Sequence, residues 1–428
     1  LGAILVGINW RLARPEVRYI LENSGAKLFF YHEEFSAAAQ GQADTLTALQ
    51  GEFVVGRNDD DFVSGFSAGS LEVTGGDDDP LVLMYTSGTT GQPKGALLTH
   101  NQLFWCSSTI SHTLDHRQTD VNLLPLPMYH VGGISFVTTY VHIGSTVVLI
   151  AAWDTQRALA LIERERINHF MAVPAMLKGL LNCPEFDKAD LRSLRWLLAS
   201  AAPVPAELIR AYHERGILVL QSYGLTETAG PATVTPKDMA IKKVGSAGVP
   251  FFHTEVRLVG HDGADVRPGE VGEIWIRGPH IITGYWRDEA ATRAAITDGW
   301  FRSGDLATQD EDGYITIVDR KKDMIISGGE NIYPAELERF FYTHPKLAEV
   351  AVIGVPDEQW GEAVCAVVVL RAGETLTLDE LRAFCDGKIA RYKMPRRLII
   401  RKEPLPVNPT GKLLKGELRR QLMEQTEA

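Results

Sequence analysis

At 428 residues, with 45% hydrophobic and 23% charged content, the chain is long enough for two or three domains and a large core, which excludes disordered, fibrous and small disulfide-stapled classes. Its net charge of −11 argues against nucleic acid as the main partner, because phosphate backbones reward basic surfaces. No apolar run approaches the roughly 20 residues that span a bilayer, and Leu1-Gly2-Ala3-Ile4-Leu5-Val6 lacks the basic flank of a signal peptide, so a cytoplasmic protein without a transmembrane segment is expected. Cys106, Cys183, Cys365 and Cys385 are scattered without C-x-x-C spacing and read as packed thiols, not a zinc site or a disulfide framework.

The chain opens with a strand, Ala3 to Val6, a helix, Pro15 to Ser24, and a strand, Lys27 to Tyr31. That order starts inside a βαβ unit, so a preceding segment is expected. Gly41 to Asp79 is polar, Gly-rich and acidic, and reads as a surface excursion. The apolar run Leu81-Val82-Leu83-Met84 then ends abruptly in the stretch Tyr85 to Gly95, as a buried strand feeding a tight loop does. Gly88, Gly91 and Gly95 let backbone amides converge on phosphate oxygens, Thr86, Ser87, Thr89 and Thr90 add hydroxyl donors, and Lys94 adds a mobile charge. A Walker A loop ends in Gly-Lys-Ser/Thr, whereas Lys94 is followed by Gly95. The stretch is expected to grip a polyphosphate.

Strands and helices alternate after it: strand Thr146 to Ile150, helix Thr155 to Arg166, strand His169 to Val173, a helix opening at Pro174, strand Arg195 to Leu198, helix Pro205 to Glu214 and strand Leu218 to Gln221. Alternation of this kind makes mainly parallel sheets covered by helices. Strand ends run into Ala199-Ser200-Ala201-Ala202-Pro203 and Ser222-Tyr223-Gly224-Leu225-Thr226-Glu227-Thr228, and ligands of open α/β sheets collect at such carboxyl ends. From Thr254 the texture changes to short alternating strands, Glu255 to Val259 and Glu273 to Arg277, expected as a small barrel or meander over about 250–321. Beyond Arg320 comes a compact α+β module with a Thr377-x-x-Glu380 capping box and a strand from Ala363 to Leu370. The expected domains are 1–321 and 322–428. From Asp386 to the end eleven Lys/Arg face five acids, a basic tract that could attract a phosphorylated small molecule.

Six ordered motifs now carry a resemblance: Tyr85 to Gly95, Pro127-Met128-Tyr129-His130, Tyr223-Gly224-Leu225-Thr226-Glu227, Trp300-Phe301-Arg302-Ser303-Gly304-Asp305, Asp319 to Glu338, and Asn408-Pro409-Thr410-Gly411-Lys412. Over nearly all its length the chain resembles the adenylate-forming superfamily of acyl-CoA synthetases, luciferases and peptide-synthetase adenylation domains, most of all fatty-acyl-CoA and feruloyl/coumaroyl-CoA ligases. The resemblance implies an enzyme that activates a carboxylic acid with ATP and Mg2+ to an acyl-adenylate and passes the acyl group to CoA. The fold it implies is a large N-terminal α/β domain with a β-barrel-like part and a small mobile C-terminal α+β domain. Peripheral membrane contact and a homo-oligomer stay open.

By the same resemblance Lys412 is the catalytic lysine of a mobile loop, set between carboxylate and α-phosphate. Glu227 ligates Mg2+, and Thr226 donates to the α-phosphate. Tyr223 stacks on adenine against Ala201, Ala202 and Pro203, with Ser222 and Gly224 beside it, although Ser200-Ala201 departs from the more usual Gly-Gly/Ala-Ala-Pro pattern. Asp305 takes the ribose hydroxyls with Arg320, and Lys322 falls at the hinge. The hairpin Gly328-Gly329-Glu330 lines the pantetheine path, and His130 stands at the acyl pocket mouth. Gly132 and Gly133, followed by Ile134 and Phe136, read as a roomy apolar acyl site for a fatty chain or an aryl-propenoate. Competing readings are an adenylation domain that loads a carrier protein, a luciferase-like oxygenase, and a non-catalytic nucleotide or acyl sensor.

Overall fold

The computed structural model of the protein describes residues 2–56, 69, 75–86, 93–202, 204–407 and 413–427. Its contacts divide the chain into two compact units, Leu1–Arg257 with Trp275–Ser303, and Leu258–Ile274 with Gly304–Ala428. Among the described residues no helix is long and apolar enough to cross a membrane.

The first unit begins with β1 (Leu5–Gly7), α1 (Arg14–Ser24), β2 (Leu28–His32) and β3 (Gly51–Val55). β3 lies within the stretch read as an excursion and pairs in parallel with β2, so that stretch is partly sheet. β4 (Pro80–Thr86) pairs in parallel with β1 and antiparallel with β5 (Lys94–Thr99). Lys94 is therefore the first residue of a strand, not a loop residue. A capping box starts α2 (His100–Leu114): Thr99 Oγ1 accepts from the Gln102 amide (3.2 Å) and Gln102 Oε1 from the Thr99 amide (2.8 Å).

The main sheet follows the expected alternation. It is built from β6 (Val121–Leu124), α3 (Val131–Ile143), β7 (Thr146–Leu149), α4 (Thr155–Arg164), β8 (His169–Ala172), α5 (Pro174–Leu181), β9 (Trp196–Ala199), α6 (Ala206–His213), β10 (Val219–Leu225), β11 (Gly230–Val234) and β12 (Val249–Pro250). Spatial order is β12-β11-β10-β9-β8-β6-β7, parallel from β10 to β7 and antiparallel across β10, β11 and β12. Every residue of β8 and β9 is buried, as in a parallel sheet covered on both faces. On one face α4, α5 and α6 contribute Leu159, Ile162, Leu177, Leu180 and Ile209 to a core that includes Phe170 and Leu197.

Near this core lies a buried polar cluster. Arg195 Nη1 donates to both oxygens of Asp120 (2.8 and 2.9 Å), the Arg117 amide donates to it at 2.8 Å, and His169 Nε2 is 3.2 Å away. His169 stacks on Trp196 (4.1 Å, 12°), and His116 meets His169 edge-on at 4.2 Å. Both ring nitrogens of His116 are buried without a partner.

The division between the units falls inside β13 (Glu255–Val259), β14 (Gly272–Arg277) and β16 (Trp300–Gln309). In the first unit α7 (Glu289–Ala295) leads to β15 (Ile296–Thr297), which pairs with Trp300 and Phe301. The β-rich stretch forms one sheet, β13-β14-β16-β15, with β17 (Ile315–Arg320) also paired to β16.

In the second unit β16 runs antiparallel to β17 (Ile315–Arg320), with Asp305 opposite Arg320. Then come β18 (Ile325–Ser327), β19 (Glu330–Ile332), α8 (Pro334–Phe341), β20 (Leu347–Asp357), β21 (Gly361–Leu370), α9 (Leu378–Cys385), β22 (Arg397–Arg401) and α10 (Lys415–Glu427). The order is β19-β18-β21-β20, with β22 parallel on β21. Alternation along β20 sends Val350 and Val352 into one core, with Leu337, Phe341 and Leu381, and Ala351 and Ile353 into another, under Leu418 and Leu422 of α10. The Thr377 capping box forms as expected, with the Glu380 amide donating to Thr377 Oγ1 at 3.2 Å. The compact division falls earlier than residue 322, because the β16–β17 ladder and Glu273 hold residues 304–321 within the second unit.

Stability should fall on acidification. Burial, then each other's charge for His116, depresses both imidazoles below the usual value near 6.5, and burial takes His280 down to about 4. A depressed histidine leaves the unfolded chain binding the extra proton, so stability is complete above about pH 6.5 and is lost as pH drops towards the folded values. Burial works to raise the Asp120 pKa, but the bonds from His169 and Arg117 outweigh it and hold the carboxyl below the usual range, which extends the loss below about pH 4. Thermal melts of the wild type and of His116→Phe over this range check it; a wild-type midpoint that does not move between about pH 7 and 5 would contradict the assignment.

Candidate functional site

Carboxyl ends of adjacent strands assemble the site of the first unit. β9 ends at Ala199, and Ser200 Oγ then donates to the Ser222 carbonyl within β10 (3.0 Å), which ties the Ala201-Ala202 turn to Ser222 and Tyr223. Ala201 takes a left-handed φ of 70°, a conformation that costs an alanine about 1 kcal/mol or more. Sequence reasoning ends β10 at Gln221, whereas the strand continues to Leu225 with a bulge between Tyr223 and Gly224. The ladder to β11 supplies partners that a loop would lack. Ser222 Oγ is buried without a partner.

Thr226 and Glu227 stand on a short 3-10 turn, Thr226–Thr228, held by Thr228: its Oγ1 accepts from the Leu225 amide at 2.9 Å. Glu227 is buried, and the Tyr285 hydroxyl donates to its Oε1 at 2.8 Å. Burial first, then the Glu227 charge, pushes the Tyr285 pKa well above its ordinary value, so Tyr285 stays a neutral donor. Lys94 Nζ lies 5.5 Å from the centre of the Tyr285 ring. The same segment is stitched to its neighbours by the backbone: Ile282 N–H donates to Glu227 O (2.9 Å), Trp286 N–H to Gly95 O (2.8 Å), and Leu97 N–H to Gly284 O (3.4 Å). Thr86 is opposite Lys94 in the β4–β5 ladder. Lys94, Tyr285 and Glu227 are thus brought together from three distant stretches. Tyr285 is the residue that sequence reasoning missed; its only local signal is an aromatic pair, Tyr285-Trp286, after Gly284.

His130 is the N-cap of α3, half-buried, with its pKa lowered by burial, so it is neutral near pH 7. One turn on, Ser135 Oγ and Cys106 Sγ both donate to the Ala229 carbonyl, the latter at 3.0 Å, fixing the chain that leaves the Glu227 turn. The glycines after His130 do not make a roomy acyl site. A Cβ on Gly133 would lie 2.2 Å from Pro127 O, so Gly133 lets the Leu126-Pro127 backbone press onto α3. Gly132 faces Leu126 and Met171, and Ile134 and Phe136 are buried.

The second unit carries other residues singled out in the sequence. Arg320 Nε is 3.2 Å from Asp305 Oδ1 across the β16–β17 ladder, and Asp305 is buried. Lys322 is exposed in the turn that follows β17, where the Asp323 amide donates to Arg320 O at 3.0 Å. Gly328 and Gly329, with φ of 60° and 85°, close a two-residue β18–β19 hairpin before Glu330, as a type I′ turn requires. Gly328 is pressed against Trp360, whereas a side chain on Gly329 would meet nothing within 4 Å. Ser87, Gly88, Thr89, Thr90, Pro203 and Lys412 lie outside the described residues.

Comparison with known proteins gives this geometry a context. The family model described as AMP-binding enzyme matches residues 1–286, and that of the AMP-binding enzyme C-terminal domain matches residues 336–412. A feruloyl-CoA synthase of Amycolatopsis sp is 42% identical over 98% of this chain and 84% of its own. A solved Mycobacterium tuberculosis fatty acyl CoA synthetase is 40% identical with a TM-score of 0.78, covering 98% of this chain and 83% of that one. The o-succinylbenzoate CoA synthetase of Bacillus subtilis, solved in complex with an acyl-adenylate intermediate, is 33% identical with a TM-score of 0.85, covering 97% and 82%. It has also been solved with ATP and magnesium ion.

Tyr285→Phe should leave one oxygen of buried Glu227 without its donor and destabilise the fold by about 1–3 kcal/mol, read as a lower midpoint in denaturant. An unchanged midpoint would mean that Glu227 finds another donor. Ala201→Gly should relieve the left-handed strain and stabilise the fold by up to about 1 kcal/mol, read as a higher midpoint.

Proposed function

The chain belongs to the AMP-binding enzyme family and is an acyl-CoA synthetase, an AMP-forming acid–thiol ligase; within that class we propose that it activates a medium- or long-chain fatty acid or a hydroxycinnamate with ATP and Mg2+, then transfers the acyl group to CoA. In the first step a carboxylate oxygen bonds to the α-phosphorus while the bond to the β-phosphate breaks and pyrophosphate leaves. In the second the CoA sulfur bonds to the acyl carbon, AMP leaves, and the thiol proton goes to solvent. The observation that carries this reading is the buried Glu227 carboxylate, held by the Tyr285 hydroxyl, with Lys94 Nζ 5.5 Å from the ring of the same tyrosine.

Each step has residues to serve it. Two anions must meet for the first bond to form, so positioned cations and donors lower that barrier most. Lys94, Thr86 and the hydroxyls of 87–90 hold the leaving phosphates, while Thr226 donates to the α-phosphate. Glu227 would hold magnesium: no cluster of three ligating side chains occurs among the described residues, and a single carboxylate suits an ion that keeps its waters and takes phosphate oxygens. When bound, the ion neutralises phosphate charge. Tyr223, with Ala201, Ala202 and Pro203, walls the adenine beside Ser222 and Gly224. Asp305 and Arg320 serve the ribose.

His130, neutral by burial, adds no charge at the carboxylate and can act as a gate for the thiol. Gly329, open on its outer side, leaves room near Glu330 for a thin ligand such as pantetheine. Lys412 supplies the cation between carboxylate and α-phosphate and is withdrawn by backbone rotation at Lys322 before the thiol enters.

Pyrophosphate release over a panel of fatty acids and hydroxycinnamates, with and without CoA, tests the reading. Acid-dependent release is expected without CoA and thioester only with it; no release with any acid would refute it. Lys412→Ala should abolish adenylate formation yet spare thioester formation from supplied acyl-adenylate, and loss of both half-reactions would refute the two-position mechanism.

A further inference from the structure

Glu273 is a carboxylate with no part in the chemistry above, and it is only 6% exposed. A charge so placed is costly unless its lone pairs are met. Its Oε1 accepts from the Gly304 amide at 3.2 Å and its Oε2 from Lys321 Nζ at 2.9 Å, while the Lys321 amide donates to Gly304 O at 2.9 Å. Gly304 immediately precedes Asp305, and Lys321 immediately follows Arg320. One buried carboxylate therefore grips both flanks of the Asp305–Arg320 pair, on two strands whose register sets those residues opposite each other. Gly304 has a left-handed φ of 70° within β16, just before Asp305, and it is at this irregular point of the strand that its amide meets Glu273.

We propose that Glu273 is a positioning residue: it sets the separation and aim of Asp305 and Arg320 for the two hydroxyls of a nucleotide ribose. The inference rests on the assignment of Asp305 and Arg320 to the ribose and deepens it. An ion pair that served folding alone would affect all nucleotides equally. A clamp acting through Asp305 affects only those that carry the hydroxyls.

The test is equilibrium binding of ATP and of 2′,3′-dideoxy-ATP, by calorimetry, to the wild-type chain and to Glu273→Gln, with thermal midpoints as the fold control. The wild type should prefer ATP by about tenfold or more, the worth of a well-aligned charge-assisted hydrogen bond. Glu273→Gln should shrink that preference to within about threefold, by weakening ATP while leaving the dideoxy nucleotide unchanged. Lys321→Gln, which removes one arm of the clamp from its solvent side, should move the preference the same way by less, and stands in should Glu273→Gln not fold. If both chains discriminate alike, the clamp is structural only and the proposal fails while the ribose assignment stands. If the wild type does not discriminate at all, that assignment fails and takes the proposal with it.

Discussion

A carboxylate taken out of water must be met by donors, and Glu227 is met by the hydroxyl of a residue 58 positions away. Most of the site in the first unit depends on that bond. To deliver Tyr285, segment 282–286 must run beside both the Glu227 turn and β5, and its backbone amides and carbonyls pair with each. The pairing fixes Gly95, hence Lys94, hence the start of the strand that leaves the Thr/Gly-rich stretch. From the other side Ser135 and Cys106 pin Ala229, so that the turn is held at both ends.

The readable parts of the sequence were those with local causes. Strands β8 and β9 are apolar runs with helical periods between them, and they fold where the periods place them. The Thr377 capping box needs only residues three apart. The site motifs also stand out, because hydroxyls, glycines and one lysine at a strand end are unusual wherever they occur. Tyr285 was not readable: its purpose is set by an acceptor far along the chain. Glu273 hides for a related reason. Alternation from Glu273 to Arg277 gives a regular amphipathic strand, and nothing in that strand tells that Lys321 and the Gly304 amide will bury its first charge.

Gly132 and Gly133 show how a correct observation can carry a wrong cause. Small residues beside His130 suggest space for a substrate, yet the space at Gly133 is filled by the carbonyl of Pro127. The loop bearing Tyr129 and His130 is thereby fastened to the helix it caps.

The interlacing of the two units along the chain bears on the order of synthesis. Residues 258–274 belong with 304–428, while 275–303 belong with what came before. As the chain leaves the ribosome, the second unit's first piece emerges early and must wait for residues 304–428 while the first unit receives its last segment, including Tyr285. Domains that fold during synthesis close in sequence order, so the unit that carries Glu227 and Tyr285 is complete before the unit that carries Asp305 and Arg320 can close. Glu273, carried in the waiting piece, is already present when Gly304 and then Lys321 arrive.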